Sequence, residues 1–398
     1  MKKKGKYTMN KRILATLLAI LLLLFTFVSC NSSQFDSDSS LQETTRGIQT
    51  TAAIETTETT KPEETSNPNE TTEPAQTTPP IVTTEPVITT KPAETTPPVE
   101  TTTQKEELTV PPIIDGSYFE AHFIDVGQAD CMLIICDGQA MLIDAGNPED
   151  DDVIIEYLKE HNVKHLSYVV ATHPHADHYG AFTSVLRHVT VDAVFSPFKV
   201  TDISKFNSFI NFVYYSLRNE VRVPEVGQQF YLGSARVTVI GPLRKDYEDI
   251  NNTSIVLRIE YGNLSFLFTG DMEGVAELEL VKSGVNLKAD VIKVGHHGSY
   301  SSSYYQFLRA VQPTYGVITC GRDNEYGHPH ASVLSRYRDA GVQLYRTDLQ
   351  GHIVCRSDDG VTLTFTTQMN PDANTNPTST INDTSYLPTY LYYEEKFN

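Results

Sequence analysis

Basic residues are scarce in this chain: 31 Lys and Arg stand against 50 Asp and Glu, a formal net charge of −19. The deficit persists in the central region, where residues 113–368 hold 32 acidic and 20 basic side chains. Such a balance lacks the broad positive footprint of most nucleic-acid binders, although clustered basic residues or bound cations can create one locally. Long apolar runs are equally rare. The run from Ile13 to Val28 spans about 16 residues, short of the ~20 that a comfortable membrane-spanning helix needs. Cysteine is sparse too, and Cys131, Cys136, Cys320 and Cys355 each lie in or beside an apolar stretch. Cys131 and Cys136 share one strand at a spacing that points them to opposite faces, which argues against pairing. A Cys320–Cys355 bridge is open to an exported chain, but free buried thiols fit the pattern better.

What is present divides into four pieces. Lys2, Lys3, Lys4, Lys6, Lys11 and Arg12 precede the apolar run and Ser29-Cys30 follows it, the layout of a secretory signal over residues 1–30. Phe27-Val28-Ser29-Cys30 resembles a bacterial lipobox, which makes Cys30 the expected lipidation site; a plain cleaved signal or an uncleaved anchor are the alternatives, since Phe27 is unusual at its place. The expected location is therefore the outer face of a bacterial membrane, with the lipid bilayer as anchor. Residues 31–112 are dominated by Thr, Pro, Glu and Ser, too polar for a core, and read as a disordered stalk able to hold a domain beyond the cell wall. Residues 369–398 read as a polar, disordered tail ending in Tyr386, Tyr390, Tyr392 and Tyr393.

Residues 113–368 are long enough for one large domain. Apolar runs predict strands at 118–126, 131–136, 139–144, 166–171, 235–240, 253–260, 263–269, 289–294, 314–319, 342–346, 350–355 and 361–366. Helical patterns fall at 149–161, 178–187, 202–217, 273–283, 302–311 and 331–340. Clustered hairpins alternating with single helices predict an α/β fold of two sheets face to face with helices outside.

The chemistry concentrates in Thr172-His173-Pro174-His175-Ala176-Asp177-His178, directly after the apolar run Leu166 to Ala171. In an extended turn His173 and His175 point the same way, while Asp177 and His178 open the next helix and face a second position. Paired imidazoles for one ion and mixed nitrogen and oxygen ligands for another suit zinc, with manganese or iron as alternatives. Asp271 ends the run Leu264 to Phe268, where a strand end brings its carboxylate to both ions; capping of the following helix is the other role open to it. His296 directly follows the strand Val291 to Val294 and is expected as a ligand beside Asp177 and His178. His297 is expected to point elsewhere and to act catalytically or on the ligands, though the two could be exchanged.

The run resembles the HxHxDH signature of the metallo-β-lactamase superfamily. Asp125-Val126-Gly127-Gln128-Ala129-Asp130, Asn252-Thr253-Ser254, Thr269-Gly270-Asp271, Gly295-His296-His297-Gly298-Ser299 and Tyr326-Gly327-His328-Pro329 further resemble the hydrolase domain of ComEC-type DNA-uptake proteins, over roughly residues 115–367. No run looks like the multi-span channel of full-length ComEC proteins. The resemblance implies an αββα sandwich with two divalent ions, zinc or manganese, at one edge of the sheet pair. It also implies a departure: many members place another histidine on the first ion, between HxHxDH and the aspartate, and here that interval holds only His188, too early for the role. The first site is left weak, completed by water, or filled only with substrate.

Around these ligands, Asp125 and Asp144 are expected to orient an imidazole through its free N–H, or simply to shape turns. Gln128 and Asp130 lie in a loop placed to approach substrate. Asn252 and Ser254 are assigned to the site or to turn capping. In the loop Asn324 to His330, His328 is the expected active-site donor and His330 a helix-start residue. The combined expectation is an exported phosphodiesterase or nuclease in which two ions make a hydroxide available, with Asp177, His297 and His328 in catalysis and DNA as a candidate substrate. A choline-phosphate or teichoic acid esterase of the wall is the alternative, and an inactive surface binding module the reading from another class.

Overall fold

The computed structural model describes residues 108–378, so the expected signal, Cys30, nearly all of the stalk and the tyrosine-bearing end of the tail lie outside the described residues. Two mixed sheets form the centre. The first is built from β1 (Phe119–Phe123), β2 (Met132–Cys136), β3 (Gln139–Ile143), β4 (His165–Val170), β5 (Thr190–Phe195), β6 (Val221–Arg222), β14 (Ile353–Ser357) and β15 (Thr364–Thr367), in the spatial order β15-β14-β1-β2-β3-β4-β5-β6. The second is built from β7 (Gln229–Leu232), β8 (Ala235–Gly241), β9 (Val256–Tyr261), β10 (Leu264–Phe268), β11 (Val291–Lys293), β12 (Tyr315–Ile318) and β13 (Gln343–Arg346), in the order β13-β12-β11-β10-β9-β8-β7.

Three apolar layers hold the sandwich together. Met132, Ile134 and Cys136 on β2 face Phe266 and Phe268 of the opposite sheet, while Cys131, Leu133 and Ile135 turn outward. Their outward face is covered by helices α1 (Asp151–Glu160), α2 (Ala176–Tyr179), α3 (Phe182–Val185) and α4 (Ser204–Tyr215). The outer face of the second sheet packs on α5 (Gly274–Ser283), α6 (Tyr305–Val311) and α7 (Ala331–Asp339), with a short α8 (Thr347–Gln350) near its edge. Strands buried on both faces read as continuous apolar runs rather than alternating ones, which is why β2, β3 and β10 stand out in the sequence. The helices follow the 3.6-residue period instead: Phe206, Phe209, Phe212 and Val213 form the buried stripe of α4. Among the described residues Cys131, Cys136, Cys320 and Cys355 are free and buried, with Cys131 and Cys136 in different layers.

Several expectations require correction. The single helix predicted over 178–187 is two short ones, because the loop after β3 wedges between them. The Gly180 N–H donates to both Ala176 O and Gly146 O, at 2.9 and 2.8 Å, and a Cβ on Gly180 would sit 2.4 Å from Pro148 N. The strand expected from 253 begins at Val256, since Ile250–Thr253 is a 3₁₀ turn capped by Asp249. Strands β5, β6 and β7 and helix α8 carried too little apolar signal to be predicted. The boundaries also shift: Leu108 N–H donates to Gln229 Oε1 at 2.8 Å, and Thr375 Oγ1 donates to Leu344 O at 2.8 Å. The last residues before 113 and the first ten of the expected disordered tail thus lie on the domain.

Candidate metal centre

Strand ends from both sheets meet at one edge. The segment after β4 carries His173, His175, Asp177 and His178; β10 leads to Asp271, β11 to His296 and His297, and β12 to Thr319. Within this group one ligand atom from each of Asp177, His178, Asp271 and His297 lies within 4.8 Å of the other three. His178 Nε2 is 3.2 Å from Asp271 Oδ2 and 3.7 Å from Asp177 Oδ2. His297 Nε2 is 3.4 Å from Asp271 Oδ2 and 3.3 Å from Asp177 Oδ2. Beside them His173 Nε2 and His175 Nδ1 are 3.0 Å apart, a second pair of converging nitrogens.

The outer nitrogens fix which tautomers these rings adopt. His178 Nδ1 lies 2.8 Å from Asp144 Oδ2, and Asp144 also accepts the Thr172 N–H and hydroxyl at 2.8 and 2.7 Å. His297 Nδ1 lies 2.9 Å from Thr319 O, which can only accept. Both rings therefore carry a proton on Nδ1 and offer a lone pair at Nε2, the arrangement that orients metal-binding imidazoles.

Burial tests whether a cation fits. His178 Nε2, His297 Nε2 and Asp271 Oδ1 are buried without any hydrogen-bond partner, an expensive condition unless something else satisfies them. Burial opposes ionisation of Asp271, yet His178, His297 and His296 hold its carboxyl well below the usual range. Burial likewise opposes charge on His178 and His297, but Asp271 foremost, with its acidic neighbours, pushes both upward. Asp130, Asp144 and Asp271 are buried and Asp177 is half-buried beside them. So much negative charge demands positive charge; metal ions would supply it and displace protons from the imidazoles. The donor set fits divalent cations.

A family profile described as the metallo-beta-lactamase superfamily matches residues 124–322, half of the chain. The chain belongs to the metallo-beta-lactamase superfamily. It is 32% identical over 258 residues to ComE operon protein 3 of Bacillus subtilis (strain 168), covering 60% of this chain and 33% of that protein. Competence protein ComA of Neisseria gonorrhoeae is 31% identical over 229 residues, covering 57% of this chain and 30% of its own. The chain thus spans about a third of the length of the curated relatives it matches. Among solved structures, the metallo-beta-lactamase fold protein YhfI from Bacillus subtilis is similar at a TM-score of 0.43 and 11% identity, over 60% of this chain and all of that one.

The superfamily centre departs from the sequence reading at the two adjacent histidines. Both occupy the left-handed region, with φ of 48° for His296 and 52° for His297, which splays their rings. His297 is the one buried in the cluster. His296 remains partly exposed, with Nδ1 3.0 Å from Glu273 Oε1 and Nε2 3.7 Å from Asp271 Oδ2. The geometry therefore favours the exchanged order, with His297 in the ligand position expected of His296.

Other expectations change as well. Asp130 does not approach substrate: it is fully buried, with Oδ2 2.5 Å from Lys293 Nζ and Oδ1 3.3 Å from His297 Nδ1. Burial resists its ionisation, but Lys293 and then His297 hold it strongly ionised. Asp125 orients no ligand; it accepts the Gly127 N–H at 3.2 Å while its own N–H meets His352 Nδ1. Asn252 Oδ1 accepts the Glu273 and Ala276 N–H groups and so caps α5 rather than facing the centre. Ser254 Oγ, by contrast, lies 3.3 Å from His173 Nδ1 and accepts the Asp271 N–H at 3.1 Å. His188 is exposed beyond α3, away from the site.

A cleft of about 310 Å³ opens over the cluster, with Gln128, His175, Asn251, Tyr326 and His328 on its walls and no Lys or Arg among its described lining residues. Gln128 uses Oε1 to accept the Gly321 N–H, which directs its Nε2 to His328 Nδ1 at 3.2 Å. That bond leaves the His328 proton on Nε2. Burial, with His297 next, pushes His328 down to about 3, so the ring is neutral near pH 7. Asn324 clamps the loop, accepting the His328 N–H at 2.9 Å and donating to Gly321 O at 2.8 Å. Tyr326, 59% exposed, stacks on His328 at 5.6 Å.

Sequence reasoning passed over Glu277, which anchors the segment leaving His297. Its two carboxylate oxygens accept the Ser303 and Tyr304 N–H groups at 2.6 and 2.9 Å. Glu277→Ala leaves both amides buried and unpaired, an expected loss of roughly 2–5 kcal/mol in denaturant unfolding. Burial raises this carboxyl to about 8. A raised folded value means its stabilisation is full below the unfolded value and is lost as pH rises through the folded one. Glu277→Gln should therefore flatten the fall in unfolding midpoint between about pH 5 and about pH 8. An unchanged slope would remove Glu277 as its source.

Proposed function

We propose that the protein is a metal-dependent phosphodiesterase of the nuclease type, acting outside the cell from a lipid anchor at Cys30. The observation that carries the reading is the set of buried ligand atoms without hydrogen-bond partners, His178 Nε2, His297 Nε2 and Asp271 Oδ1, of which His297 and Asp271 line a cleft whose wall presents the neutral N–H donor of His328. His173 and His175 would hold one divalent ion, Asp177, His178 and His297 another, with Asp271 between them. Zinc or manganese bound there would supply Lewis acidity and a water of near-neutral pKa. The chain's own residues do the rest. His328, held by Gln128, directs its Nε2–H toward charge that builds on a phosphoryl oxygen. Glu273 turns His296 so that its Nε2 lies along the cleft beside Asp271. Asp144 and Thr319 keep the ligand imidazoles in the tautomer that leaves Nε2 free.

The similarity to competence proteins and the DVGQAD, TGD, GHHGS and YGHP segments support DNA as substrate. A wall phosphodiester bearing choline is a second reading, favoured by one observation: the cleft has no lysine or arginine among its described lining residues to meet a polyanion, while Tyr326 offers an exposed ring to a quaternary ammonium. The test is hydrolysis by the purified full chain, supplied with Mn²⁺ or Zn²⁺, of single- and double-stranded DNA and of p-nitrophenylphosphorylcholine. DNA cleavage abolished by chelation is the expected result. Turnover of the choline ester alone would move the protein to the second reading. Absence of both, with no metal bound, would mean a binding module.

A further inference from the structure

The superfamily signature leaves the first ion short of a protein ligand, because no histidine follows His188 before Asp271. A different side chain lines the cleft beside His175. Asn251 lies in the 3₁₀ turn Ile250–Thr253, is 5% exposed, and its Oδ1 has no hydrogen-bond partner. It lines the same cleft as His175 and Asp271. The backbone of this turn is fixed on the His173 side of the centre. Asn251 N–H donates to Asp249 Oδ1 at 2.9 Å, and Asn251 O accepts the Ser254 hydroxyl at 2.7 Å. That same hydroxyl oxygen sits between His173 Nδ1 and the Asp271 N–H, and Ile255 N–H donates to Thr172 O at 2.9 Å. A buried amide oxygen left without a donor in a well-bonded turn is costly unless a cation takes it.

We propose that Asn251 Oδ1 is a ligand of the first ion, in the role that a histidine serves in many superfamily members. The inference rests on the two-metal reading above and extends it to metal choice. Two imidazoles, a carboxylate and an amide oxygen form a harder site than an all-imidazole one, and carbonyl and carboxylate ligands suit manganese where imidazole suits zinc. The first position should therefore accept Mn²⁺ readily, while the second, with two imidazoles and two carboxylates all from the protein, is complete without it.

The test is calorimetric titration of the metal-free full chain with MnCl₂ and separately with ZnCl₂, backed by elemental analysis after gel filtration. Wild type should bind two ions. Asn251→Ala should keep one and bind the other roughly 100-fold more weakly or worse, at least the loss typical of removing an outer partner. Asn251→Asp should keep both ions, and Asn251→His should tighten Zn²⁺ relative to Mn²⁺ at the weaker position. Circular dichroism of the three variants separates lost binding from lost folding, and the Asp and His variants carry the test should the Ala variant not fold. Two ions bound by Asn251→Ala with wild-type affinity, or no change of metal preference in Asn251→His, would overturn the assignment. Fewer than two ions in wild type would overturn the two-metal reading itself.

Discussion

Asp271→Ala is expected to lower phosphodiester turnover by about 10³-fold or more, close to 4 kcal/mol of barrier, while the chain stays folded. The position explains both halves of the result. Asp271 Oδ2 lies 3.2 Å from His178, 3.4 Å from His297 and 3.7 Å from His296, so one carboxylate reaches every imidazole on its side of the centre. Its Oδ1 is free of hydrogen bonds, with Lys293 Nζ 3.9 Å away. In the two-ion arrangement proposed above, this carboxylate would serve the His173–His175 position as well as the Asp177–His178–His297 one. Removing it should weaken both metal positions together. Folding should survive because the centre crowds Asp130, Asp144, Asp177 and Asp271 together, and losing one anion relieves repulsion as well as removing attraction. The sharper control for shape is Asp271→Asn, which keeps the volume and loses the charge. The measurement is hydrolysis of bis-p-nitrophenyl phosphate at saturating metal, with thermal unfolding in parallel. Turnover near wild type in either variant would sink the role of Asp271 between two ions.

How far the sequence could lead follows from what each residue signals. The central strands were legible because burial on both faces makes β2, β3 and β10 continuous apolar runs. Strand β5 was not, since Asp192 interrupts it, and Val221–Arg222 is too short to carry a period at all. HxHxDH was legible because its ligands are adjacent in sequence and of unmistakable type. The partners that fix those ligands were less so. Lys293 did leave a trace, a charge inside an otherwise apolar strand, and it proves to be paired with Asp130 across 163 positions of chain. Asn251 and Asn252 show the limit of pattern reading. Adjacent and chemically identical, they differ only in direction, one opening on the cleft and the other capping α5. A turn that puts neighbours on opposite sides leaves no periodicity to read.

The same limit produces the largest contrast between neighbouring residues. His297→Ala is expected to lose the second ion and at least 100-fold in turnover, whereas His296→Ala should keep both ions and lose roughly tenfold, below the usual range for a positioned proton-transfer group. The strand Val291–Lys293 sets direction only as far as its last residue. Beyond it Gly295 starts a tight turn, and successive left-handed residues at 296 and 297 reverse the alternation on which the sequence reading relied. Those conformations are costly for non-glycine residues, and the structure holds them at both ends: His296 N–H reaches Gly270 O, Ser299 N–H returns to His296 O at 2.7 Å, and each ring is pinned through Nδ1. The pins differ in kind. Thr319 O can only accept, so His297 must expose a lone pair at Nε2 to Asp177 and Asp271. Glu273, also bonded by the Ser301 hydroxyl at 2.7 Å, holds His296 at the cleft, partly exposed. Metal content by elemental analysis, measured beside kcat for the two variants, decides between these roles. Loss of an ion in His296→Ala with retention in His297→Ala would restore the order expected from the strand alone.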